Sequence, residues 1–171
     1  MLGLGRMRRF LFFPALVALL WLSLEGTPAR AAGPSFPKPV FNAYDEKIDR
    51  HALIAETVAK ARATGRRALL VFGSNDCGPC RKMCGMLHDR GPLGHVVAGN
   101  YVVAHVTVNG VRDRELEARY GNVKELGIPW LVVVGDDGRA LKIQSTREFA
   151  KGNSRDGQQI LAFLREWAPP R

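Results

Sequence analysis

Cysteine is scarce in this chain. Three of the 171 residues are cysteine, and all three lie in the stretch FGSNDCGPCRKMCGMLHD, Phe72 to Asp89. A bridge between Cys77 and Cys80 would enclose only Gly78 and Pro79, a loop too short to stabilise a fold much through chain entropy. Apolar runs are also short. The segment from Phe10 to Leu24 holds 15 residues, broken only by Pro14 and Ser23, against the roughly 20 that a membrane span needs. No internal repeat is visible. No block of like charge is present either: Arg66-Arg67, Arg81-Lys82, Arg112 with Arg114, and Arg147 with Lys151 are scattered, with acids between most of them. That pattern describes a solvated surface and excludes a nucleic-acid stripe.

The opening residues have a different character from the rest. Arg6, Arg8 and Arg9 form a positive start with no acid, the apolar run follows, and Ala29-Arg30-Ala31 supplies an A-x-A pattern. This is the layout of a secretory signal cleaved after Ala31; an uncleaved anchor is the alternative. A bacterial periplasm is the expected destination, and disulfide chemistry is permitted there. The whole chain carries 25 Lys and Arg against 16 Asp and Glu. Without residues 1–31 the balance is 21 against 15, or +6. The expected division is a signal at 1–31, a proline-containing extended leader at 32–44, and one domain at 45–171.

Within that domain the pattern predicts an α/β order. Asp45 to about Thr64 reads as a helix with Ile48, Ala52, Ala55 and Ala59 at helical spacing, stopped by Gly65. RALLVFGS is a buried strand. Cys77 to about Asp89 is a helix with Pro79 in its first turn, where a missing N–H costs nothing, and Gly91-Pro92 closes it. YVVAHVTV, Tyr101 to Val108, is a second buried strand. A helix follows at Arg112–Tyr120, then a hairpin, WLVVVGDDGRALKIQ, turning at Asp137-Gly138. The last helix buries Ile160, Phe163, Leu164 and Trp167. The hairpin must be antiparallel, and the strand–helix–strand unit is most easily parallel, so a mixed sheet flanked by helices is expected.

This order, with C-G-P-C at the mouth of the second helix, resembles the thioredoxin superfamily. The stretch YGNVKELGIPWLVVVGDDGRAL is similar to the family's segment in which an Ile-Pro pair with a cis peptide precedes the hairpin strand; here the pair is Ile128-Pro129. The resemblance covers about residues 42–168. It implies a thioredoxin-like fold, a Cys77/Cys80 redox dithiol, no cofactor, and a loop at Ile128 and Pro129 that binds the incoming peptide. Client proteins with disulfides would be the partners, a membrane thiol transporter the electron donor, and a monomer the working state. Gly-Pro between the cysteines resembles the reducing members.

Position explains the chemistry expected of Cys77. A thiolate at a helix N-terminus meets unpaired N–H groups and the positive end of the helix dipole, which lower its pKa. Cys80, one turn along and more buried, would resolve the mixed disulfide. Gly78 lets the backbone turn tightly and Pro79 stiffens the first turn.

Three departures from the family stand out. Asp76 replaces a Trp before the first cysteine, and its carboxylate opposes the thiolate unless it caps the helix; Arg81 and Lys82 are candidates to offset it. Val71 replaces a buried Asp that relays protons, leaving His105, which aligns near that Asp's lysine partner, as a candidate relay or a plain strand histidine. Cys84 is extra, and is expected to be a buried small side chain.

Trp130 stands where many relatives have Thr and is expected to pack in the sheet. Two other classes stay open: a redox-inactive interaction module, and a periplasmic copper carrier using Cys77, Cys80, Cys84 and His88. The last three are spaced i, i+4, i+8 on one helix face, but eight residues of helix span roughly 12 Å, too far for His88 and Cys77 to share one ion without distortion. No bound metal is therefore expected.

Overall fold

The structure, a computed structural model, describes residues 43–108, 112–152 and 154–170. The expected signal, its cleavage point and nearly all of the leader lie outside the described residues. The elements run α1 (Arg50–Ala63), β1 (Arg67–Gly73), α2 (Gly78–Leu87), α3 (Pro92–Asn100), β2 (Tyr101–Thr107), α4 (Arg114–Tyr120), α5 (Val123–Leu126), β3 (Trp130–Val134) and β4 (Ala140–Ser145). A 3-10 turn (Thr146–Phe149), a small ribbon of β5 (Ala150–Lys151) and β6 (Ser154–Arg155), and α6 (Gly157–Glu166) complete the chain.

The main sheet has the order β2-β1-β3-β4. β1 and β2 are parallel, and β3 runs antiparallel to both β1 and β4, as the hairpin and crossover argument requires. Successive side chains of a strand point to opposite faces, and the core divides accordingly. Leu69, Val71, Leu131 and Val133 face α2, α3 and α6, where Met83, Leu87, Val97, Ile160 and Leu164 meet them. Leu70, Phe72, Trp130 and Val132 face α1 and α4. Complete burial of one such aliphatic side chain stabilises by about 1.5–3 kcal/mol, so the two faces together anchor the sheet from both sides.

Two predicted details are corrected. Gly91-Pro92 does not end α2, which stops at Leu87 with His88 as its C-cap; Gly91 is the N-cap of α3 and Pro92 opens it. Pro suits the first turn of a helix as well as the space after one, and here it takes the first of these places. The first helix starts at Arg50, behind the Asp49 N-cap, whose carboxylate accepts from the N–H groups of His51 and Ala52. Its inner face is Ile54, Thr57 and Ala61, whereas Ile48, Ala52, Ala55 and Ala59 are exposed. Small alanines gain little from burial, and the larger Ile54 sets the rotation of the helix.

Candidate active site

The strand β1 ends at Gly73 and the chain turns through Ser74, Asn75 and Asp76 into α2. Cys77 is the N-cap of that helix; its sulfur accepts the N–H of Cys80 at 3.1 Å. Cys77 and Cys80 are joined in a disulfide with their Cα atoms 5.2 Å apart. Cys80 is fully buried, while Cys77 is half-buried at the protein surface. Pro79 lies in the first turn of α2, as its missing N–H allows. Asp76 is exposed, and the capping atom of α2 is the Cys77 sulfur, so the Asp76 carboxylate does not hold that place. The Arg81 guanidinium returns to the helix start, donating to the Asn75 carbonyl at 2.6 Å.

The peptide between Ile128 and Pro129 is cis. Trp130 pairs with Phe72 across β1 and β3, which brings Pro129 to the end of β1 from which the cysteine loop departs. Pro129 is buried and Ile128 half-buried; the Pro129 carbonyl accepts from the Thr146 hydroxyl at 2.6 Å. Trp130 is packed in the sheet. Its ring stacks on Phe72 with centroids 4.5 Å apart, and its indole N–H donates to the Tyr120 carbonyl at 2.9 Å.

The interior behind Cys80 holds groups the sequence pattern did not identify. Tyr44, at the end of the expected leader, is docked onto the active-site loop. Its N–H donates to the Asn75 side-chain carbonyl at 3.2 Å, and the Asn75 amide donates to its carbonyl at 2.7 Å. Its ring is buried beside the disulfide. A methyl group placed on Gly73 would sit 2.5 Å from the Tyr44 hydroxyl and 2.9 Å from the Cys80 sulfur. Glycine is therefore needed at position 73 for this close approach. Burial first, and then the nearby Cys84, push the Tyr44 phenol pKa up.

The Tyr44 ring meets the edge of His105, 5.3 Å between centroids. His105 lies on β2 beside Val71 of β1. Its ring approaches the helix α2, where its Nε2 lies 3.0 Å from Nε2 of His88 and 3.8 Å from Sγ of Cys84. Burial, followed by the adjacent His88, depresses the His105 pKa to about 4; burial also lowers that of His88.

The geometry places Cys77, Cys80, Gly78 and Pro79 together at the helix start, with the Ile128-Pro129 loop at the neighbouring strand end. It separates Cys84 and His88 from Cys77 and joins them to His105 instead. Among the missed residues, Asn75 and Tyr44 had no local signal, because their contact spans 31 positions.

The thioredoxin-like family profile matches residues 49–135, and the chain belongs to that family of disulfide oxidoreductases. A disulphide isomerase from Xylella fastidiosa Temecula1, known from its crystal structure, is 31% identical to it, over 72% of this chain and 94% of that one, with a TM-score of 0.62. A thioredoxin from Thermus thermophilus, known from its solution structure, is 24% identical over 74% of this chain and 87% of that one, with a TM-score of 0.48. No curated protein sequence matches.

Proposed function

We propose that this protein is a periplasmic thiol–disulfide oxidoreductase that reduces disulfides in exported client proteins. The observation that carries the reading is the Cys77–Cys80 pair, with one sulfur at the surface on a helix N-terminus and the other fully buried one turn along. In the reduced protein the Cys77 thiolate attacks one sulfur of a client disulfide. A mixed disulfide forms and the client's other sulfur leaves as a thiolate, which takes a proton from water. The Cys80 thiolate then attacks Sγ of Cys77 and expels the second client thiolate. The client gains two electrons and two protons, and the dithiol becomes the disulfide described above. An external thiol donor must reduce it again; a membrane thiol transporter has the required chemistry.

The residues around the pair divide this work. The helix N-terminus favours the Cys77 thiolate. The Tyr44 hydroxyl, on the same side of Gly73 as the Cys80 sulfur, can donate a hydrogen bond to the Cys80 thiolate as it forms. With its phenol pKa raised by burial, Tyr44 acts as a donor only and stabilises that thiolate without relaying the proton as the family's buried carboxylate does. Ile128 and Pro129 offer the surface on which the client's extended chain lies. Export rests on the signal-like first 31 residues; among the described residues no helix is long and apolar enough to cross a membrane.

Similarity to a disulphide isomerase favours a second reading, in which the pair reshuffles disulfides. The reduction potential separates the two. Equilibration with a glutathione or dithiothreitol buffer should place the Cys77–Cys80 couple close to the thioredoxin value of about −270 mV. A value at or above about −180 mV, the range of protein disulfide isomerase, would reverse the direction of electron flow proposed here.

A further inference from the structure

We propose that Cys84, His88 and His105 form a binding site for one thiophilic d10 cation, Zn(II) or Cu(I), separate from the Cys77–Cys80 pair. His88 is the C-cap of α2, four residues after Cys84, and its backbone N–H donates to the Cys84 carbonyl, so the two side chains lie on one side of the helix end. His105 reaches them from β2. The three donor atoms lie within 4.8 Å of one another. A tetrahedral shell with metal–nitrogen bonds of about 2.0–2.1 Å and a metal–sulfur bond of about 2.3 Å has a nitrogen–nitrogen edge of about 3.4 Å and a nitrogen–sulfur edge of about 3.6 Å. Two observed edges, 3.0 Å and 3.8 Å, lie within a few tenths of an ångström of those values, and the third, from Cys84 to His88, is no longer than 4.8 Å.

The donors are suited to such an ion. A neutral imidazole presents a lone pair on the ring nitrogen that carries no proton. In the bare pair the two ε nitrogens can share only one proton, whereas a cation engages both lone pairs at once. A thiolate with two imidazoles suits Zn(II) and Cu(I) and disfavours hard cations. A cleft of about 300 Å³, with Lys60 and Arg66 as well as Leu87, Tyr101 and Val103 on its walls, leads to the His88 side of the cluster. It offers an entry path and room for a fourth ligand from solvent. The δ nitrogens of both rings are buried without a hydrogen-bond partner among the described residues. No hydrogen-bonding group among the described residues locks the rings from behind, which points to an exchangeable ion rather than a locked one.

Binding converts the Cys84 thiol to a thiolate and releases its proton to solvent; no electrons move. The ion would tie α2 to β2. It would also withdraw the third sulfur from exchange with Cys80, one helical turn earlier. This ligand set differs from one built on Cys77 and Cys80, since those sulfurs are joined to each other.

The test uses anaerobic protein with the Cys77–Cys80 disulfide closed, so that the dithiol supplies no ligand and the outcome does not depend on the redox reading. Co(II) is titrated as the spectroscopic probe, then displaced by Zn(II); Cu(I) from a chelator buffer is a separate arm that decides between the two ions. One equivalent of Co(II) should bind with a thiolate-to-metal charge-transfer band. Cys84→Ser should remove the band, and His88→Gln or His105→Gln should each weaken binding by more than about 100-fold, since loss of a mere supporting partner costs about 10–100-fold. Zn(II) or Cu(I) should also raise the thermal midpoint of the unmodified protein, a readout independent of how the variants fold. No charge-transfer band and no thermal shift in the unmodified protein, or equal Co(II) affinity in folded His105→Gln, would overturn the site.

Discussion

Cys77→Ser protein should show no disulfide exchange, with a rate at least about a thousand-fold below that of the unmodified protein. Serine at the N-cap still accepts the Cys80 N–H, so the helix start is preserved and the loss reports on chemistry. The remaining sulfurs cannot substitute, because Cys80 is fully buried and Cys84 is only 4% exposed. Cys80→Ser should behave differently. Its Cys77 can still attack, but nothing expels the second client thiolate, so a covalent protein–client adduct should accumulate and be resolved by added dithiothreitol. Non-reducing electrophoresis with a model disulfide protein reads both results. An adduct in Cys77→Ser, or none in Cys80→Ser, would reverse or remove the assigned roles.

Trp130→Ala should be among the most damaging single changes outside the cysteines. The side chain is 2% exposed, stacked on Phe72, and hydrogen-bonded to the Tyr120 carbonyl. Truncation removes a large apolar body, leaves a cavity between the sheet and α4, and orphans a buried carbonyl. Buried Trp→Ala changes cost about 3–5 kcal/mol, which for a domain of this size lowers the thermal midpoint by roughly 10–20 °C. Urea titration should show a lower midpoint with an unchanged slope. The folded fraction should keep its exchange chemistry. A variant of normal stability that had lost client reduction would instead place Trp130 in the client groove.

The parts of this site that were legible in the sequence are those set by local spacing. Cys77 and Cys80 announce themselves through two intervening residues and a proline that only a helix start tolerates well. The Ile128-Pro129 pair and the Asp137-Gly138 turn are likewise contiguous, and in the structure Gly138 takes a φ of 78° that suits glycine. Trp130 was legible as a packing residue because it opens a continuous apolar strand.

What stayed hidden depends on chain segments meeting. His88 and His105 are 17 positions apart, and their contact follows from β2 lying beside β1, with His105 on the same face as α2. A strand histidine reads the same whether its neighbour is leucine or another histidine. Tyr44 was hidden because a proline-containing leader gives no sign of where it docks. The inner face of α1 was misread because alanines repeat at helical intervals on both sides of that helix, and period alone does not weigh side-chain size.

Brief alkylation of the fully reduced protein at neutral pH tests the account most directly. One cysteine of the three, Cys77, is the accessible, activated nucleophile. Mass analysis after a short pulse of iodoacetamide should find Cys77 modified well ahead of Cys80 and Cys84. Equal modification of all three, or Cys84 reacting first, would contradict it.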